Sequence, residues 1–244
     1  MHSFLVGGAY AFTPYTGIDR STKDFDLFVR GIDVARALEV LAARGLGVDL
    51  TFPHWLAKVY PSPGTVDPFV DLIFSSGNGV ASVDDGWFDH APRRSVLGLR
   101  VPVVPAEELL WSKSFVMERE RFDGADVIHL LRSRAERLDW DRILLRFGNN
   151  WRILLAVLVL FGFVYPGERT RIPRAVMDTL LARLAEELDR DAPAGRLCQG
   201  TILSRAQYLP DVLEWGYTDG RLFPRGEMTE EDIASWTAAI GRIA

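Results

Sequence analysis

The 244-residue sequence contains one cysteine, Cys198, and only four histidines. A single thiol excludes an internal disulfide framework and a cysteine-rich zinc site, and it fits a reducing compartment. Cys198 itself reads as a small buried side chain. His54, His90 and His129 are scattered over different segments, with no His-x-x-x-His or His-x-Glu spacing of a zinc centre. No Gly-x-Ser-x-Gly turn marks a serine hydrolase. Basic excess is also lacking: the formal net charge of -5 gives no global field for holding nucleic acid, so a polyanionic partner would need a local basic patch. The N-terminus has no basic run ahead of a cleavable apolar segment, since Phe4 to Val6 is too short for one. The chain starts almost on its first strand, with no helix before it to cover that edge, which leaves room for a truncated start. Ile153 to Val164 is very apolar, but Arg152 precedes it, Gly162 interrupts it and Pro166 ends it. It falls short of the roughly 20 residues that span a bilayer and reads as a buried helix. These absences point to a cytoplasmic protein with no membrane partner.

What is present is ordinary globular material, 48% apolar and 25% charged, long enough to bury a large core. Phe4 to Val6 reads as a strand and Ala9 to Tyr15 as a short helix, followed by a polar loop through Gly17, Asp19 and Ser21. Asp24 to Val29 reads as a strand. Asp33 then caps a helix over Val34 to Arg44 that ends at Gly45. Val48 to Phe52, Ala57 to Tyr60 and Phe69 to Phe74 are short, β-branched or apolar segments separated by Pro and Gly, the pattern of strands. Ser75 to Asp85 reads as a loop, and Val96 to Leu99 with Val101 to Val104 as a hairpin. Beyond Pro105 the spacing predicts helices over Glu107 to Met117, Ala125 to Arg134, Trp140 to Phe147, Ile153 to Val164, Arg174 to Leu188 and Glu230 to Ile243, with loops at Pro193 to Gly200 and Gly216 to Gly226. The expected architecture is α+β: a small mixed sheet in residues 1–104 and a mainly helical region in residues 105–244.

The segment carrying chemistry is the first one. Gly7-Gly8 follows the first strand, and Asp24-Phe25-Asp26 opens the next. Alternation along a strand puts Asp24 and Asp26 on one side and Phe25, Leu27 and Val29 on the other. Two carboxylates aimed at one point repel unless a cation lies between them, and hard oxygen ligands suit Mg2+. Asp71, within Phe69-Val70-Asp71-Leu72-Ile73-Phe74, is a third acid in an apolar strand, where a carboxylate needs a partner or an ion. Taken singly, the glycine pair is equally a packing feature, Asp-x-Asp a loop cap or structural Ca2+ ligand, and Asp71 a solvent-facing strand residue. The combination is more specific. A dehalogenase-type phosphatase fits less well, because it would want Thr where Phe28 stands. Lys23, Lys58 and Lys113 are the lysines near this frame; each could touch a phosphate, and each is by default a solvated surface charge. Trp87, Phe88, Trp111 and Trp151 read as core packing rather than a base pocket.

The order strand, Gly7-Gly8, gap, Asp24-x-Asp26, later Asp71 resembles the nucleotidyltransferase superfamily of the DNA polymerase beta type, including small prokaryotic transferases. The Thr22-Lys23 lead is similar too, as is Leu109-Leu110-Trp111-Ser112-Lys113 followed by Arg119-Glu120-Arg121-Phe122-Asp123-Gly124-Ala125-Asp126. The resemblance covers roughly the first 135 residues. It implies that Asp24, Asp26 and Asp71 are catalytic and hold two Mg2+ ions, with Mn2+ as a substitute. It also implies that Gly7, Gly8, Thr22 and Lys113 contact a nucleoside triphosphate, Gly7 and Gly8 by exposing backbone N–H groups, and that Asp71 acts as general base. The reaction so implied moves a nucleoside monophosphate to an acceptor hydroxyl and releases pyrophosphate. The acceptor would be a small molecule, a protein or RNA, with Arg93-Arg94 and Arg132 to Arg137 supplying local basic character. The alternative is a binding module of the same fold that does no transfer, such as an antitoxin or regulatory partner.

Overall fold

The computed structural model describes residues 4–240 apart from 20, 21, 23, 66 and 68. It is an α+β fold. Five strands, β1 (Leu5–Val6), β2 (Phe25–Phe28), β3 (Gly47–Phe52), β4 (Leu56–Tyr60) and β5 (Val70–Ile73), form one mixed sheet in the order β1-β2-β5-β4-β3. β2 and β5 run parallel at its centre, and every other pairing is antiparallel. The parallel pair requires the chain to cross over between β2 and β5. Helix α2 (Val34–Ala42) and the β3–β4 hairpin supply that crossover.

Leu27 and Val29 pack with Ala57, Leu72 and Phe74 against Val34, Ala37 and Leu38 of α2, so one face of the sheet is closed by an apolar layer. Phe25 departs from the expected partition. Its ring lies 4.9 Å from that of Tyr10, on helix α1 (Gly8–Thr16). The edge at β1 is not open, because Val103 bridges Val6 and the Val104 N–H donates to Val6 O at 2.9 Å.

After β5 come α3 (Asp85–Asp89) and a hairpin of β6 (Arg93–Val96) and β7 (Leu99–Pro102). The expected helical segments follow as α4 (Ala106–Lys113), α5 (Gly124–Arg134), α6 (Trp140–Phe147), α7 (Trp151–Val164) and α8 (Arg174–Leu188). Two of these expectations shift. The hairpin turns at Leu97-Gly98, both with positive φ, where the sequence reading had begun a strand at Val96; the left-handed pair is what a two-residue turn needs. Helix α4 stops at Lys113 rather than Met117, because the Met117 N–H donates to Leu203 O and Met117 bridges Phe122, folding 115–123 into a loop. The C-terminal region adds a two-stranded parallel pair, β8 (Leu197–Cys198) and β9 (Thr218–Asp219), both within segments expected to be loops, a short α9 (Leu209–Leu213), and α10 (Glu230–Ala238). A Thr229–Asp232 capping box starts α10, which ends at Ala238 rather than running on towards Ile243, residues 239 and 240 forming a turn; residues 241–243 lie outside the described residues. Trp236 and Ala239 pack on Phe52, Leu56 and Ile73.

One buried cluster runs from Leu5, Phe12 and Tyr15 through Trp87, Val103 and Leu110 to Leu154, Phe161 and Leu180, crossing Pro105 without a break. Trp87, Trp111 and Trp151 are in it, in line with the packing role expected of them, and Cys198 is buried. The residues of α6 and α7 form a 25-residue helical stretch, Trp140–Val164, long and apolar enough by length and composition to cross a membrane. Leu154, Leu155, Val157, Leu158 and Phe161 face the core, whereas Val159 and Phe163 are exposed.

Candidate functional site

Asp26 and Asp71 are partners in the parallel β2–β5 register, so their side chains leave the same face of the sheet. Lys58 on β4 is the next partner across, opposite Asp71, and its Nζ donates to Asp71 Oδ1 at 2.8 Å. Asp49 on β3 follows opposite Lys58. The face opposite α2 therefore carries a charged row across four strands, Asp26, Asp71, Lys58 and Asp49, where the far face carries apolar side chains.

The glycine pair is explained by β2. A Cβ on Gly8 would sit 1.7 Å from Asp26 Oδ2, and Gly8 has φ +52°, a left-handed conformation that L side chains rarely adopt. A Cβ on Gly7 would meet the Phe28 ring at 2.2 Å. Asp26 and Phe28, two apart on one strand face, thus rest on two consecutive glycines. The Asp26 carboxylate lies at the N-terminal end of α1. Gly7 departs from expectation in one respect: its N–H donates to Asp26 O at 2.9 Å and is committed to the sheet rather than open to a ligand. Gly8 stands in the first turn of α1, where N–H groups have no acceptor within the helix.

Burial pushes the Asp26 carboxyl up to about 6, reinforced by the charges of Asp71 and Asp24 and opposed by Arg121 and Lys113. The three acids and Lys113 therefore share one electrostatic neighbourhood, reached from β2, β5 and α4. Asp24 precedes β2 and is half-buried, and Thr22 Oγ1 donates to Asp24 O at 2.9 Å, bracing the approach to the acids. Lys23 lies outside the described residues. Lys113 is not a solvated lysine: its Nζ donates to Asp123 Oδ2 at 2.7 Å and to Asp126 Oδ2 at 2.9 Å. Burial alone would raise Asp123, yet Lys113 and Arg121 hold its carboxyl below the usual carboxylate range.

Arg121 carries no local signal that would single it out. The 115–123 loop brings it to Asp123 at 3.3 Å, and its charge reaches Asp26. Only its membership of the Arg119 to Asp126 stretch could have flagged it. Lys58, by default a solvated surface charge that could touch a phosphate, is instead made the counter-ion of Asp71 by the antiparallel β4–β5 register. Of the histidines, His54 Nε2 lies 3.2 Å from Gly77 O and His90 Nδ1 lies 2.9 Å from Gly86 O, well apart in the chain and in role.

As placed, no three His, Cys, Asp or Glu side chains among the described residues stand close enough together to hold a metal ion. The donor chemistry nonetheless suits one: Asp24, Asp26 and Asp71 are hard oxygen donors, and the repulsion from Asp71 and Asp24, which adds to burial in raising Asp26, is what a cation relieves. No known protein-family model matches the chain, and comparison with curated protein sequences gives no match.

Proposed function

We propose that this chain is a metal-dependent nucleotidyltransferase that moves a nucleoside monophosphate from a nucleoside triphosphate to an acceptor hydroxyl. The observation that carries the reading is the register of Asp26 with Asp71 beside Gly8, two carboxylates on one sheet face at a helix N-terminus. The helix dipole there favours the phosphates of the donor. Asp24, Asp26 and Asp71 would hold the Mg2+ ions, with Mn2+ able to replace them. Bound, they would neutralise triphosphate charge and acidify the acceptor hydroxyl. Asp71 takes the acceptor proton as the acceptor oxygen bonds to the α-phosphorus. The bond from that phosphorus to the bridging oxygen breaks, and pyrophosphate leaves. Lys58 beside Asp71, and Arg121 and Lys113 near Asp26, are the cations available to answer the departing charge. Lys113 orders the site through Asp123 and Asp126, a positioning role beside the phosphate contact first expected of it.

Incubation with labelled nucleoside triphosphates and cell extract tests the reading. It requires a labelled product that disappears in Asp71→Ala. A second reading, a binding module of this architecture that does no transfer, is favoured by one observation: Asp71 already has a cation on it, Lys58 Nζ at 2.8 Å. Partner association unaffected by Asp71→Ala, with no labelled product, would select that reading.

A further inference from the structure

Lys58 stands between two carboxylates and is bonded to one of them. In the strand order β2-β5-β4-β3, Asp71 on β5 and Asp49 on β3 are its partners on either side, each directly across an antiparallel pair. Such partners project on one face with Cβ atoms about 4.5–5.5 Å apart, so the flexible lysine stem reaches either one by rotating about its own bonds. The ammonium is on Asp71, with Nζ 2.8 Å from Oδ1, and the two side chains are 21% and 17% exposed. Asp49 is exposed and forms no ion pair among the described residues. Its carboxylate accepts a hydrogen bond from the neutral Thr51 hydroxyl, Oγ1 to Oδ2 at 2.7 Å, which orients it and adds no charge. The row Asp26, Asp71, Lys58, Asp49 therefore has three carboxylates for one ammonium, and that ammonium is on the carboxylate assigned above to a metal ion and to the acceptor proton.

Two cations on one carboxylate repel each other, the more so away from bulk water. A free divalent ion meets that repulsion from Lys58 in full. A divalent ion carried by a nucleoside triphosphate meets less of it, because the complex is a net anion and is drawn to the same ammonium. Asp49 offers the ammonium a second counter-ion on the same face, at the edge strand, where the ammonium regains water as it leaves the partly buried Asp71.

We propose that Lys58 sets the order of loading: it holds Asp71 against free divalent ions and passes to Asp49, across the β3–β4 pair, when the ion arrives with the triphosphate. The inference rests on the transfer reading and supplies the regulation of that same site. Lys58 acts through Asp71, as a positioning residue. The Lys58–Asp71 contact then does not stand against catalysis, because it is exchanged rather than permanent.

Calorimetric titration of the full chain with free Mn2+, and separately with the preformed Mn2+ complex of a non-hydrolysable nucleoside triphosphate, tests the exchange. Lys58→Met should bind free Mn2+ at least about tenfold more tightly than the wild type, as removing a like charge so close to a cation site predicts. For the complex that gain should fall below about threefold, whereas a plain charge effect or a structural role predicts the same gain for both. Asp49→Asn should weaken binding of the complex about threefold or more where Lys58 is present and leave it unaltered in Lys58→Met, a coupling read from the double-mutant cycle. The chain has three lysines, Lys23, Lys58 and Lys113, so magnetic resonance of isotope-labelled lysine follows Lys58 directly, its signal identified by its loss in Lys58→Arg. That signal should move with the Mg2+ complex and stay with Mg2+ alone, a readout that holds even if Lys58→Met does not fold. Where Mn2+ binds, the proposal alone is overturned by an equal gain for ion and complex, by an Asp49→Asn effect of the same size in both backgrounds, or by a Lys58 signal that the complex does not move. Binding of neither free ion nor complex by any of the variants or the wild type overturns the transfer reading along with it.

Discussion

Asp26 and Asp71 stand in register on adjacent parallel strands, and the first is packed onto Gly8 so closely that a methyl group there would overlap its carboxylate. Two like charges held side by side at a sheet face weaken the fold unless cations answer them. In this structure Lys58 answers Asp71, while Arg121 and Lys113 act on Asp26 from the loop side and from α4.

Gly8→Ala meets two penalties, a left-handed φ and a Cβ 1.7 Å from Asp26 Oδ2. The strain costs about 1–2 kcal/mol and the forced displacement about 1–3 more. Gly17→Ala, with φ +73° and nothing within 4 Å of the new methyl, should lose only the first amount. Urea unfolding of the two variants checks the difference, and equal losses would remove the close packing of Asp26 on Gly8 from the account.

Asp26 gives stability a pH dependence. Its folded pKa of about 6 lies above its ordinary value of 3.8, so the folded state holds the proton more tightly. Stability therefore falls as pH rises from about 4 to about 6, and the deficit of about 3 kcal/mol persists above that window. Asp26→Asn should flatten the slope and make the protein more stable than wild type at pH 7 by an amount of that order. Denaturant titrations at pH 4.5 and pH 7 measure both effects.

Lys58→Met leaves Asp71 beside Asp26 with its counter-ion gone. A loss of about 2 kcal/mol is expected, less than for a fully buried pair because both groups keep some solvent contact. Added Mg2+ should restore much of that loss in Lys58→Met while changing the wild type less, read as melting temperature with and without the ion.

Lys113 separates Asp123 from Asp126. Lys113→Met should cost about 3 kcal/mol, since two largely buried carboxylates lose one shared cation. Lys113→Met combined with Asp123→Asn should recover part of it, because one of the two carboxylates beside the lost cation is then neutral; a double-mutant cycle provides the measurement.

The five strands of the main sheet were legible because each is a short β-branched or apolar run between turn residues, and α6 and α8 were legible because their apolar spacing is regular; β8 and β9, two residues each, lie in segments that read as loops. Asp24, Asp26 and Asp71 could be singled out because an acid in an apolar strand demands a reason. Neither Lys58 nor Arg121 could be singled out that way. Lys58 depends on the β4–β5 register, and Arg121 on Met117 leaving the helix to pair with Leu203. Such long-range pairings carry no local signal. The Leu97-Gly98 turn was misread for a different reason: leucine is a poor marker of positive φ, so the apolar run hid the turn inside it.

Divalent-ion binding tests the central claim most directly. Calorimetric titration of Mn2+, in the presence of a non-hydrolysable nucleoside triphosphate, should show binding in the wild type. It should weaken at least about tenfold in Asp24→Asn and Asp26→Asn, with both variants folded by circular dichroism. Undiminished binding in those two variants would contradict the account.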